Sequence, residues 1–407
     1  MNRLESLAKL AVYKGVNVQE GQILVVKCPI EAYEFGRLVC KYAYEKGAKD
    51  VIFNYTDAIN QKTKFENAKL DDICDIYDYT IERQKFFVES GACFLSISSE
   101  LPGLMKDVNP EILQSYGIAM SKAMKPFRYY TMSNYGQWCV IAYPNKIWAK
   151  KVFPNLSEDD AYDKLLEAIL DATRVDDNAV ENWNKHNAEI AKHTEILNNY
   201  NFKTLHFKSE LKTDLYVDLA INHIWEGGED LTRETKVKFN PNMPTEEVFT
   251  MPKRDGVNGI VYASKPLSYQ GNLIENFYLK FENGRVVDFN AESGYDALKN
   301  LLDTDEGSKY LGEVALLSYD SPISNASILF YNTLFDENAS CHLALGACYP
   351  TNIKNGTDMS EDELKAAGGN ISMSHSDFMF GTEKMSVMGI TFDDQEVVIF
   401  ENGNFVI

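Results

Sequence analysis

Gln22-Ile-Leu-Val-Val-Lys-Cys28, stopped by Pro29 and followed by a helical pattern with Phe35, Leu38, Val39 and Tyr42 over Glu31 to Glu45, then Gly47 and Asp50-Val-Ile-Phe-Asn-Tyr55, reads as strand, helix, strand. Short β-branched apolar runs separated by one amphipathic helix imply a βαβ unit with a parallel sheet. The pattern continues. A helix is expected over 75–90, followed by Ala92-Cys-Phe-Leu-Ser-Ile97 and then Trp138-Cys-Val-Ile-Ala-Tyr143, which ends at Pro144. The first 150 residues or so therefore predict a doubly wound, mostly parallel α/β structure.

The texture changes at Ser157. Ser157-Glu-Asp-Asp160 has the form of a capping box, and the residues from there to Asn199 contain neither Gly nor Pro, so they predict a long helical connector. Beyond Phe202, alternation takes over. Leu215, Val217 and Leu219 face one way, and short runs such as Gly259-Ile-Val-Tyr-Ala continue to the C-terminus. The expected organisation is an α/β N-terminal domain over 1–200, connector included, and an α+β domain over 201–407.

Bulk properties narrow the function. The chain has 407 residues, 45% hydrophobic and 25% charged, with 40 basic against 60 acidic residues. A formal charge of −20 with no Lys/Arg block argues against nucleic acid as a partner, because neutralising phosphates needs a basic face. The segment Met1 to Tyr13 shows helical spacing interrupted by charge rather than a signal-peptide core, and no apolar run suits a membrane span. The seven cysteines are scattered without a Cys-x-x-Cys pair, and Cys28, Cys93 and Cys139 sit in or beside apolar runs as buried thiols. A cytoplasmic protein is expected.

No dinucleotide fingerprint, phosphate-binding loop, Gly-x-Ser-x-Gly elbow or His-Glu-x-x-His is present. Of six histidines, His186 and His193 fall on the charged connector and are expected in solvent. His206 and His223 lack metal-ligand company. His342 and His375 have it. In His375-Ser-Asp377, strand alternation would put imidazole and carboxylate on one face, a set that suits zinc, cobalt or manganese, although His-x-Asp also arises by chance. Glu246 and Glu247 follow a Pro turn, and Glu313 heads the apolar run Val-Ala-Leu-Leu317. Each acid reads either as solvated or as held against a cation, since burying a lone carboxylate is costly.

Taken together, Asn242-Met-Pro-Thr-Glu-Glu-Val-Phe-Thr250, Gly312-Glu-Val-Ala-Leu316, Leu334-Phe-Asp-Glu-Asn-Ala-Ser-Cys-His-Leu-Ala-Leu-Gly346 and His375-Ser-Asp-Phe-Met-Phe-Gly-Thr382 resemble the M29 metallo-aminopeptidases, of the aminopeptidase T and aminopeptidase S type. Less specific matches are Phe281-Glu-Asn-Gly-Arg-Val-Val-Asp288 and Ala291-Glu-Ser-Gly294. The resemblance implies a homodimer whose C-terminal domain carries two divalent ions (Zn2+, Co2+ or Mg2+) on Glu247, Glu313, His342, His375 and Asp377, removing N-terminal residues from peptides with a free amine by a metal-activated water. Within it, Glu246 would serve either as general base or as an orienting group, and Tyr349, seven residues after His342, either as an oxyanion donor or in packing. Two competing readings are another metal-dependent amidohydrolase or carboxypeptidase, and a non-catalytic scaffold.

Overall fold

A computed structural model describes residues 2–269 and 272–407. The chain divides into two compact units, one formed by the residues up to Lys185 with Glu229–Pro244, the other by His186–Gly228 with Thr245–Ile407.

The first unit is built on a wholly parallel sheet in the order Asp50–Thr56, Ile23–Pro29, Cys93–Ser98, Trp138–Ala142, Asn242–Met243. Numbered along the chain, this is the doubly wound order 2-1-3-4-5. Strand alternation explains why both faces are covered. Leu24, Val26 and Cys28 join one core with Phe35 and Val39 of the helix Tyr33–Glu45, while Ile23 and Val25 join another with Phe87 of the helix Asp78–Glu89. The helix expected over 75–90 thus begins three residues later.

The predicted connector is two helices, Glu158–Ala172 and Ala179–Tyr200. The break lies where Arg174 takes a left-handed backbone (φ 53°) and Val175 N–H turns back to donate to Leu170 O. The Trp183 indole N–H donates to Thr173 O across the break. Ser157 caps the first helix by accepting from Asp160 N–H, and its hydroxyl in turn donates to the Asp160 carboxylate.

The second unit is antiparallel. A large sheet runs Leu267–Tyr269, Asn272–Glu282, Pro252–Tyr262, Asp214–Leu219, Thr204–Lys208, Ser386–Ile390, Glu396–Glu401, Asn404–Phe405, with Arg285–Ser293 paired to Asn272–Glu282. A smaller sheet runs Val248–Thr250, Leu311–Leu316, His342–Gly346, His375–Met379. Among the described residues, no helix is long and apolar enough to cross a membrane. All seven cysteines are free, and burial pushes the Cys28 thiol up to about 11.

Candidate metal centre

The smaller sheet sorts its residues by face. Val248, Val314, Leu316, Leu343, Leu345 and Phe378 enter the main core of the second unit. The alternate positions form the other face. Glu313 stands opposite Ala344, which stands opposite Asp377, and Phe249 opposite Ala315 opposite His342. Directly opposed residues share a face, as do residues two apart along one strand, so His375 joins Asp377. Glu247, in the bend just before the strand Val248–Thr250, completes the set by its contact with His342. Ala315 and Ala344, both fully buried, put only methyl groups between the acids and imidazoles.

Five predicted residues are thereby brought together. His342 Nε2 lies 3.0 Å from Glu247 Oε2 and 3.5 Å from Glu313 Oε1. His375 Nε2 lies 3.3 Å from Glu313 Oε2 and 3.4 Å from Asp377 Oδ1. Two groups of ligand type result, Glu247–Glu313–His342 and Glu313–His375–Asp377, with Glu313 in both. His375 Nδ1–H donates to Ala347 O at 2.7 Å, which turns Nε2 toward the acids. That carbonyl is placed by a close main-chain approach: Gly346 has φ 113°, a Cβ there would run into Ser374 O, and Ala347 N–H donates to the same oxygen.

The electrostatics ask for positive charge. Burial raises the proton affinity of Glu247, opposed by His342. For Glu313, burial acts the same way but the contacts with His342 and His375 outweigh it, and its carboxyl is held low; His375 does likewise for Asp377. Burial disfavours the charged imidazoles, yet Glu247 and Glu313 hold His342, and Asp377 and Glu313 hold His375, well above the usual range. Glu247 Oε2 and His342 Nδ1 are buried without a well-directed hydrogen bond. A buried carboxylate oxygen in that state is a place where a cation fits. The mixed nitrogen and oxygen donor set fits a divalent ion that displaces the imidazole protons.

The remaining predicted residues separate. The Tyr349 ring lies 4.8 Å from the His375 ring and edge-on to Phe249, and burial together with Glu313 and Asp377 pushes its hydroxyl well up. Glu246 turns to the other side of its bend, with Oε2 3.8 Å from His186 Nε2. His186 is buried rather than solvated, and Nε2–H donates to Thr245 O at 2.6 Å. His193 is part-buried against the Phe405 ring, His206 pairs with Asp214 at 2.7 Å, and His223 Nδ1–H donates to Ala220 O.

Sequence reasoning passed over one acid. Glu337, on the 3-10 turn Glu337–Ala339, is raised well above the usual carboxylate range by burial and then by Asp377 and Glu247. Its signal was an acid five residues before His342, inside the most specific stretch of the chain.

Known proteins resemble this chain along its whole length. The model of the family described as thermophilic metalloprotease (M29) matches residues 1–405. Aminopeptidase AmpS of Bacillus subtilis strain 168 is 46% identical over 404 residues, covering 99% of this chain and 98% of that protein. Aminopeptidase 2 of Geobacillus stearothermophilus is 44% identical over 410 residues, covering 100% and 99%. The structure of wild-type AmpT from Thermus thermophilus superposes with a TM-score of 0.93 at 36% identity, covering 100% of this chain and 99% of that one.

Proposed function

The chain belongs to the M29 metalloprotease family, and from that premise we propose that Glu247, Glu313, His342, His375 and Asp377 hold two divalent ions around a shared Glu313. The protein is a metal-dependent aminopeptidase acting on peptides. The imidazoles favour Zn2+ or Co2+, whereas Mg2+ would rest on the carboxylates. Ions so held supply Lewis-acid polarisation of the scissile carbonyl and an acidified water.

The observation that carries the reading is the double membership of Glu313, whose two oxygens face different histidines. Glu337 is the group suited to accept the proton of the attacking water and return it to the leaving amine. It is half-buried, close enough to Asp377 and Glu247 for their charge to raise it, and holds a proton more tightly than an ordinary glutamate. Tyr349 keeps its proton and is suited to donate to the carbonyl oxygen as charge develops there. Glu246, paired with His186, acts in this reading as an orienting group for Glu247. Acidic groups facing one site also complement the ammonium of a free N-terminus.

The test starts from chelator-stripped protein, with single ions added back and free-amine peptides compared with N-acetylated ones. Activity restored by the ion and confined to free amines is expected. Glu337→Gln should keep its ions and lose roughly 10²–10⁴ in kcat, against a smaller loss for Glu246→Gln. Undiminished turnover in Glu337→Gln removes it from the proton path. We propose further that the protein is a cytoplasmic homodimer, a compartment with which its free cysteines are consistent. A monomeric mass by light scattering refutes the dimer.

A further inference from the structure

Glu247 precedes its strand, so cross-strand pairing does not fix its main chain; the bend Thr245–Glu247 is held by other means. His186 Nε2–H donates to Thr245 O at 2.6 Å. Glu246 N–H donates to Asn338 Oδ1 at 2.8 Å. Gly227 lies so close that a Cβ would run into Glu247 O. Asn338 reaches in two directions: Nδ2–H donates to Leu334 O at 3.1 Å and lies 3.5 Å from Glu337 Oε1. Asn338 itself is fully buried, and its bond to Leu334 O is made without competition from solvent.

We propose that Asn338 is a positioning residue that sets the separation between Glu247 and Glu337, with His186 as the second clamp on the same bend. The proposal rests on the roles given above to Glu247 and Glu337. A primary amide suits this place because it offers an acceptor to one segment and a donor to the other on one short, planar side chain. Aspartate keeps the acceptor but turns an oxygen toward Leu334 O and the Glu337 carboxylate. Leucine removes both bonds and leaves Glu246 N–H without its acceptor. For His186 only the Nε2 donor matters, and a glutamine amide nitrogen can stand in its place.

The experiment compares full-length wild type, Asn338→Asp, His186→Leu and His186→Gln, each stripped and then titrated with Zn2+ against a chelating indicator. Kinetics on a free-amine aminoacyl substrate and the unfolding midpoint of the stripped protein are read alongside. Asn338→Asp and His186→Leu should bind Zn2+ about 10- to 100-fold more weakly, as when a group orienting a ligand is lost. Their kcat should fall at least about tenfold with KM within about twofold, because the geometry of the acids changes rather than substrate binding. His186→Gln should recover most of the affinity. Wild type that binds Zn2+ while both disruptive variants bind it equally well overturns the clamp alone. Wild type that binds none overturns the ligand assignment and the clamp with it. A variant whose affinity falls only because it no longer folds shows a collapsed midpoint, and His186→Gln failing alongside His186→Leu at a normal midpoint also overturns the donor role.

Discussion

Replacing Glu313 with Gln should affect both ions at once, whereas Glu247→Gln and Asp377→Asn should each affect one. Glu313 is 4% exposed and presents Oε1 to His342 and Oε2 to His375, so its loss takes one oxygen from each of the two groups. At a free-ion concentration about a hundredfold above the dissociation constant, each bound ion stabilises the fold by about 2.7 kcal/mol. The wild type should therefore gain roughly 5 kcal/mol from two ions, Glu247→Gln about half of that, and Glu313→Gln close to nothing. For a unit of this size each kcal/mol moves the unfolding midpoint by roughly 2–4 °C, so the ion-dependent rise should be roughly 10–20 °C in the wild type. Scanning fluorimetry with and without ion gives the rise, and elemental analysis after buffer exchange gives the ion equivalents. Glu313→Gln retaining the same single tight ion as Glu247→Gln would refute the shared carboxylate.

Three further substitutions test the surroundings. Asp305 accepts from Ser308 N–H at 2.8 Å, Ser372 Oγ–H at 2.8 Å and Met373 N–H at 2.6 Å; burial opposes its ionisation but these donors prevail and hold it below the ordinary range. Because its folded value lies below the unfolded one, Asp305→Asn should be less stable than wild type by about 2 kcal/mol at neutral pH, with the gap full above about pH 4 and closing as pH falls further; a gap by urea unfolding that persists in acid contradicts this. Ala344→Leu fills the space between Glu313 and Asp377, and should cost about 1–3 kcal/mol by overpacking while abolishing ion uptake in a protein that remains folded by circular dichroism; a full ion complement contradicts it. Phe378→Ala should cost about 3–5 kcal/mol in denaturant unfolding, since the ring is 1% exposed and packs 5.6 Å from Phe277; a loss under about 1 kcal/mol would mean that this face is not core.

The first unit was legible wherever burial on both sides leaves an uninterrupted apolar run, as in Ile23–Pro29 and Cys93–Ser98. It was not legible at Asn242–Met243, where two residues pair with Val140 and Ile141 to make a fifth parallel strand. Two residues carry no period, and that pairing is a property of the chain's return. The helix break at Thr173 was hidden for a related reason. It is made by Arg174 in a left-handed conformation, which composition does not announce when the residue is neither Gly nor Asn.

At the site, local pattern reached the His375–Asp377 pair and two separate acid clusters, and the resemblance joined them. What joins them physically is register. Glu313, Ala344 and Asp377 form one row only because three strands far apart in sequence pair at those residues, and a slip of one position would send the acids into the core. His186 is the more instructive miss. Its helix is rich in charge, which suggested solvent, yet Trp183, Asn187, Ile190 and Leu197 are all buried at steps of three, four and seven residues, and His186 falls within that stripe. A titratable ring on the apolar side of a helix must find a polar partner, because its ring nitrogens cannot be buried unpaired cheaply. Here the partner is Thr245 O, two residues before Glu247. The stripe therefore leads to the bend that carries Glu247, and it becomes readable once the helix is judged by the spacing of its buried residues rather than by the number of its charges.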